Sequence, residues 1–321
     1  MSPYHEKREA NSGSVCILFL TLILASWFTF SFTAMHVVYL TFQKPVYPPM
    51  INTTLPGAHS KRTLARITPS NVSKLGGLHR DQVCILIPLT SRNQRWRTIE
   101  DSFVCRFPLP SLAKTCEPEN FSYAIYLGYD VGDAFFDSRP TLWALIQHSK
   151  QLMPYASVRI RAFSNQLKKP GPIMNFLSRK AYNDGCDFMY RINDDTELLT
   201  SSWTSLFVRA LQAFDPPLRG VVGPTCNEGN TRILTHDFVH RGHLDIFETH
   251  YPPELTDWWL DDWITSVYGP SNTKKLTEVV VRHHVIVTRY EVQWQSERLL
   301  APLLAQGKQT LIQNLTNSIT T

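Results

Sequence analysis

The chain has 321 residues, 43% of them hydrophobic and 18% charged, with a formal net charge of +5. That length buries one substantial core with room for an appendage, but not two large domains. The basic residues are dispersed without a long Lys/Arg run, so no nucleic-acid partner is expected. No Cys-x-x-Cys pair occurs among the six cysteines, which argues against a cysteine-rich zinc module.

Residues 10–43 contain no Lys, Arg, Asp or Glu. About 20 apolar residues cross a hydrocarbon core, and a cleaved signal sequence has a shorter apolar centre. The expected organisation is therefore a cytosolic tail (1–13), a transmembrane signal-anchor (14–41), a stem (42–80) and a catalytic domain (81–321). Lys7 and Arg8 precede the span and Lys44 follows it, a bias toward a single-pass type II protein with a lumenal domain. The expected location is the Golgi or endoplasmic reticulum membrane. Sequons at Asn52, Asn71, Asn120 and Asn314 suit that side. Pro45, Pro48, Pro49, Pro56 and Pro69 mark the stem. Cys105 and Cys116 flank a proline-containing segment, read as a loop, that a disulfide could close.

From residue 83 the pattern alternates between strand and helix. The apolar run 83–88 reads as a strand covered on both faces. A helical stretch then carries Trp96, Ile99 and Phe103 on one face. A strand at 123–127, a helix at 141–153 and a strand at 158–163 follow. A helix at 172–184 is closed by Gly185. Next come a strand at 187–192 and a helix at 202–214, stopped by Asp215-Pro216-Pro217. Strands at 220–223 and 276–287 bracket a section rich in His, Asp and Trp. The alternation predicts an α/β fold with a mixed, mostly parallel sheet and helices on both faces, whose ligands gather at the carboxyl ends of the strands.

Three constellations carry chemistry. Asn193-Asp194-Asp195-Thr196-Glu197 follows a strand, where crowded carboxylates call for a hard cation. The same run would also serve as an Asx-rich turn capping a helix. In Asp257-Trp258-Trp259-Leu260-Asp261-Asp262-Trp263, indoles cover apolar sugar faces and carboxylates bond hydroxyls. An acid desolvated by indoles suits a general base, although core tryptophans with solvated acids are the plainer reading. In Arg282-His283-His284, strand alternation turns one of the two histidines inward. Lys168 and Lys169 could pair phosphates. His236, His240 and His243 have spacings that on a helix could hold zinc, or they belong to a loop touching acceptor or diphosphate.

The order of these elements resembles the nucleotide-sugar glycosyltransferases of the GT-A (Rossmann-like) fold, over about residues 83–288. Residues 85–92 resemble their first strand and its loop, 126–130 the second, 187–196 the turn that holds metal and donor, and Asp261-Asp262 the later acidic element. The resemblance implies transfer of a hexosyl or N-acetylhexosaminyl group from a nucleotide-diphosphate sugar, a UDP-sugar foremost, to a glycan, protein or lipid acceptor. Transfer would be inverting and dependent on Mn2+ or Mg2+. The implied roles are Asp195 with His283 or His284 at the metal, and Asp262 as base with Asp261 beside it. Pro88, Thr90, Arg92, Asp130, Lys169, Asn175, Arg191, Asn193 and Asp194 would meet the donor, and Trp258, Trp259 and His240 the acceptor. Asn193 departs from the acidic residue the pattern asks for. An inactive membrane-tethered carbohydrate-binding relative and a metal-dependent hydrolase are the alternatives.

Overall fold

The computed structural model describes residues 80–165, 167–228, 231–284, 289 and 292–319. The predicted tail, membrane span and nearly all of the stem lie outside the described residues, with Cys16 and the sequons at Asn52 and Asn71. Among the described residues no helix is long and apolar enough to cross a membrane.

The domain is a mixed α/β, Rossmann-like fold. In chain order its strands are β1 (Gln82–Leu89), β2 (Ser122–Asp130), β3 (Ala156–Phe163), β4 (Phe188–Arg191), β5 (Thr196–Leu198), β6 (Val221–Cys226), β7 (Asp237–His240) and β8 (Thr273–His283). Its helices are α1 (Phe103–Arg106), α2 (Pro108–Thr115), α3 (Arg139–Leu152), α4 (Pro170–Asn183), α5 (Trp203–Gln212), α6 (Gly242–Phe247), α7 (Leu260–Val267) and α8 (Glu297–Ile319). The strands form one sheet in the order β3-β2-β1-β4-β7-β6-β8-β5. Strands β3, β2, β1 and β4 run parallel, as do β6 and β8. Strand β7 is antiparallel to β4 and β6, and β5 is antiparallel to β8. The chain leaves β1 toward β2 on one side and returns to β4 on the other, so a crevice opens at the carboxyl ends of β1 and β4.

Strand periodicity divides the core in two. Val83, Ile85 and Ile87 of β1, Tyr123, Ile125 and Leu127 of β2 and Phe188 and Tyr190 of β4 face one layer, with Leu109, Leu112, Leu145, Trp203 and Phe207 of α2, α3 and α5. Cys84, Leu86, Ala124, Tyr126 and Met189 face the other, against Ile173 and Leu177 of α4 and Trp263 and Ile264 of α7. Arg191 shares the parity of Met189, and Asp237 that of Val239. Two charged residues therefore occupy positions on the second face that the pattern would fill with apolar side chains.

The predicted strands and the helices starting near 141, 172 and 202 are present, with ends displaced by one to three residues in most cases; residues 285–287 of the last predicted strand lie outside the described residues. The stretch around 96–103 is not one helix. A 3-10 turn at Ile99–Asp101 leads into α1, and Trp96 packs edge-on to Phe103 at 5.0 Å. The predicted proline loop is helix α2, with Pro108 in the first turn, where its missing N–H leaves no bond unmade. That eight-residue helix, about 12 Å long, lies between Cys105 and Cys116, and both are free thiols. The disulfide joins Cys84 of β1 to Cys186 just before β4, 102 residues apart in sequence. Helix α8 was not anticipated. Pro302 and Gly307 interrupt its pattern, yet Leu299, Leu300, Leu303, Leu304 and Leu311 fall at helical spacing against the second core layer.

Close backbone contact at Gly171 fixes the start of α4 against the segment preceding α7. Its N–H donates to Thr256 O at 2.7 Å, and a Cβ there would fall 2.7 Å from Leu255 O and 2.9 Å from Thr256 O. Gly171→Ala is expected to cost about 1–3 kcal/mol of stability through overpacking, measured by urea unfolding. An unchanged midpoint would show that the segment yields freely.

Candidate active site

At the carboxyl ends of β1 and β4 lies a cleft of about 320 Å³. Pro88 from β1, Pro170 and Met174 from α4, Arg191 from β4 and Asn193-Asp194-Asp195 from the following turn form its floor and one wall. His283 from the end of β8 and Arg289 stand beside that turn, and Asp257, Trp258, Leu260 and Asp261 form the remaining wall.

The acidic turn owes its shape to the β5–β8 pairing. Thr196 stands opposite His283 in register, and the His284 N–H donates to Asp195 O at 2.9 Å. This brings His283 Nε2 to 3.1 Å from Asp195 Oδ1, a buried oxygen without a hydrogen-bond partner. The Asn193 amide nitrogen lies 3.3 Å from the same His283 Nε2, whose role as donor or acceptor follows its tautomer. Two neighbouring ligands of one cation at about 2.1 Å leave close to that oxygen–nitrogen separation. An orphaned carboxylate oxygen beside an imidazole nitrogen fits a divalent cation that takes its remaining ligands from phosphate and water. Among the described residues no group of three or more His, Cys, Asp or Glu is arranged to hold a metal without such help. His284 is directed elsewhere, to Glu197 Oε2 at 3.0 Å and onto the Phe107 ring at 4.0 Å. His236 packs beneath, its ring 5.5 Å from that of His283, and burial keeps it neutral by pushing its pKa well below the usual value.

Asp194 accepts both arms of the Arg289 guanidinium, at 2.7 and 2.6 Å, and the Arg289 fork also reaches Asp195 Oδ2 at 3.4 Å. Burial raises the Asp194 pKa against the pull of Arg289. On the facing wall, Asp257 accepts from Lys169 Nζ at 3.0 Å and from the Gln293 N–H at 3.0 Å. Trp258 is 51% exposed and Trp294 62% exposed, and their rings meet edge-on at 5.0 Å at the cleft lip. Trp259 packs 6.0 Å from both while capping α7 in the left-handed region (φ +65°).

That cap puts Asp261 and Asp262 in the first turn of α7, on different sides. Asp261 lines the cleft and pairs with Arg191, whereas Asp262 is absent from the lining and senses Arg232 and Glu297. The cleft-facing acid is therefore Asp261, one residue before the predicted base. Burial raises its pKa, with Arg191 opposing. Arg191 itself is held from behind. Its Nε donates to Tyr251 Oη at 2.7 Å and lies 3.4 Å from Asp237 Oδ2, while His250 Nε2 stands 2.6 Å from Asp237 Oδ1.

A second hollow of about 200 Å³ opens beside the cleft at the ends of β1 and β2, lined by Thr90, Ser91, Arg92, Asp130, Asp133 and Lys168 among others. It adjoins the cleft through Arg289, whose carbonyl accepts from Arg92 at 3.2 Å. Besides His284 and Asp262, the predicted site residues Asn175 and His240 also lie away from both hollows. Both ends of the Asn175 amide bond the Tyr251 backbone, at 3.0 and 2.9 Å. His240 stands opposite Phe188, at the start of β4, about 10 Å along the strand from the register of Arg191. His236, His240 and His243 do not converge, since His240 lies on β7 and His243 bonds Tyr268 Oη at 2.9 Å. Arg289 and Trp294 were not singled out, and Asp257 was read as one acid of its segment without a role of its own. The last two lie in or near the tryptophan-rich segments, but Arg289 carries no local signal.

No protein-family model matches the chain, and no curated protein matches it. Among solved structures, it is similar to S. aureus TarS 1–349 in complex with UDP, at 13% identity and a TM-score of 0.48, over 70% of this chain and 65% of that one. It is also similar to S. aureus TarS at 14% identity and a TM-score of 0.47, over 73% of this chain and 43% of that one. A Desulfovibrio desulfuricans G20 protein, provisionally described as a nucleotide-diphospho-sugar transferase, is similar at 12% identity and a TM-score of 0.39, over 72% and 97%. The chain spans less than two thirds of the two TarS chains. Likenesses this distant do not assign it to a family.

The Asp194 and Arg289 side chains are 3% and 9% exposed. Arg289→Met leaves the carboxylate buried beside Asp195 without its partner, an expected loss of about 3–5 kcal/mol. A carboxyl whose folded pKa is raised favours the folded state below its unfolded value and loses that contribution as pH rises. The deficit in urea unfolding is therefore expected to grow with pH, and a pH-independent deficit would contradict this charge balance.

Proposed function

We propose that the chain is a glycosyltransferase that moves a sugar from a nucleotide-diphosphate donor to an acceptor hydroxyl. The observation that carries this reading is the convergence in one cleft of the orphaned Asp195 oxygen, 3.1 Å from His283 Nε2, and the partly exposed carboxylate of Asp261 on the opposite wall. A cation-binding pair facing a separate carboxylate base suits displacement of a diphosphate by an alcohol.

Asp195 and His283 would hold a divalent cation, Mn2+ or Mg2+, which when bound offsets the negative charge on the departing diphosphate. Arg289, at the same wall, contributes a second fixed positive charge there. The nucleoside is assigned to the second hollow, lined by Thr90, Arg92 and Asp130. Asp261 accepts the proton of the acceptor hydroxyl as its oxygen bonds the anomeric carbon and the bond to diphosphate breaks, with inversion. A raised pKa strengthens Asp261 as a base. Trp258 and Trp294 offer ring faces beside that carboxylate, a surface suited to a sugar-bearing acceptor. Lys169 is committed to Asp257 and shapes the wall. The apolar segment 14–41 and the Cys84–Cys186 disulfide support placement in the membrane of an oxidising secretory compartment.

With the full-length chain in detergent and a panel of nucleotide sugars and acceptors, transfer from one donor should require Mn2+ or Mg2+ and stop with EDTA. Asp195→Ala is expected to lower kcat/KM by about a hundredfold or more. Turnover undiminished in EDTA or in Asp195→Ala would refute the cation assignment, and donor cleavage to water regardless of acceptor would favour a hydrolase. A base works only when ionised, so kcat/KM should rise with pH through the Asp261 pKa, with the acid limb above the ordinary aspartate range. Asp261→Asn should abolish transfer, whereas Asp262→Asn should retain it.

A further inference from the structure

Behind the cleft lies a buried chain of charged groups that the proposed reaction does not itself use. Arg191 and Asp237 stand opposite each other in the β4–β7 register, on the face of the sheet covered by α4 and α7. The side chains of Arg191, Asp237 and His250 are 4%, 0% and 0% exposed, while that of Asp261 is 26% exposed at the cleft. One Arg191 nitrogen donates to Asp261 Oδ1, another to Thr235 O, and Nε serves Tyr251 Oη and faces Asp237 Oδ2. Tyr251 Oη in turn donates to Asp237 Oδ2.

One guanidinium thus stands between two carboxylates, and only the outer one reaches the cleft. A buried ion pair this well bonded is not needed for stability alone, since apolar residues of similar volume fill such positions equally well. An arginine devoted wholly to Asp261 would hold its carboxylate in place and make it a poor proton acceptor. With Asp237 on its other side, the same arginine can orient Asp261 while its charge is shared.

Resting on the reading of Asp261 as base, we propose that Arg191 and Asp237 are positioning residues for Asp261: Arg191 fixes the direction of its carboxylate, and Asp237 offsets the arginine charge so that Asp261 stays basic. The other charged and titratable groups around Asp261 are Asp262 on its own helix, Tyr251 and His250 behind it, and Asp257 with Lys169 beside it. Asp194, Asp195, Arg289 and His283 face it across the cleft. Asp237 sits at about 2, held down against burial by His250, Arg191 and Tyr251, and so remains an anion through any working pH range. Its charge raises the pKa of Asp261 while that of Arg191 lowers it.

The test is the pH dependence of kcat/KM for the full-length enzyme and for Asp237→Asn, with folding checked by circular dichroism. Removing the anion leaves the whole arginine charge on Asp261, so the acid limb should move to lower pH and kcat should fall by about tenfold as the base weakens. A limb that stays in place or moves up overturns the proposal, because a merely structural role lowers activity without displacing it. If Asp237→Asn does not fold, Arg191→Lys, which keeps the charge but loses the fork, serves instead. It should lower kcat by about tenfold with KM for the donor unchanged, and a change in donor KM alone overturns the proposal. Asp261→Asn run alongside separates the two claims, since wild-type turnover in that variant removes the base assignment and not merely its support.

Discussion

Four carboxylates, Asp194, Asp195, Asp257 and Asp261, line a single cleft, and like charges held this close outside bulk water require cations beside them. The fold supplies a cation from a different element for each of three: Arg289 for Asp194, Lys169 for Asp257 and Arg191 for Asp261. Asp195 also meets the Arg289 fork through Oδ2, but its Oδ1 is a buried oxygen with no hydrogen-bond partner, turned toward a histidine nitrogen. The other acids are compensated from within the chain, and Asp195 keeps one oxygen for which the described residues supply no hydrogen bond. That difference ties the position of the crevice in the sheet to the chemistry proposed there.

The sheet order creates the site, because the crossovers from β1 diverge and leave β1 and β4 side by side with open carboxyl ends. Register then decides which side chains enter. The β5–β8 ladder sets His283 beside the acidic turn and sends His284 to Phe107 and Glu197. The β4–β7 ladder places Arg191 against Asp237 and carries His240 to the far end of the strand. Contact at Gly171 presses the Asp257 segment against α4, closing the remaining wall.

What could be read from the chain follows the range of the interactions. Local periodicity revealed β1, β2, β4 and α5, because each buries an uninterrupted stripe of apolar residues, and the acidic turn was legible as unusual charge after a strand. Pairwise outcomes were not legible. Cys105 and Cys116 are close in sequence but separated by a helix that opens with proline, whereas Cys84 and Cys186 meet because parallel pairing of β1 and β4 joins segments about a hundred residues apart. Asn175 reads as a polar residue on an apolar helix, and only the approach of the Tyr251 backbone consumes its amide. Asp261 and Asp262 differ by 100° around one helix turn, and which of them faces the cleft depends on the left-handed cap at Trp259. Arg289 has no pattern around it, and its role comes entirely from where the chain returns.

The most direct test is electron-nuclear double resonance on Mn2+ bound to the full-length chain with a nucleoside diphosphate. A nitrogen coupling from imidazole is expected in the wild type, retained in His284→Ala and lost in His283→Ala. Failure to bind Mn2+, or a nitrogen signal that survives in His283→Ala and vanishes in His284→Ala, would contradict the assignment of the cation to Asp195 and His283.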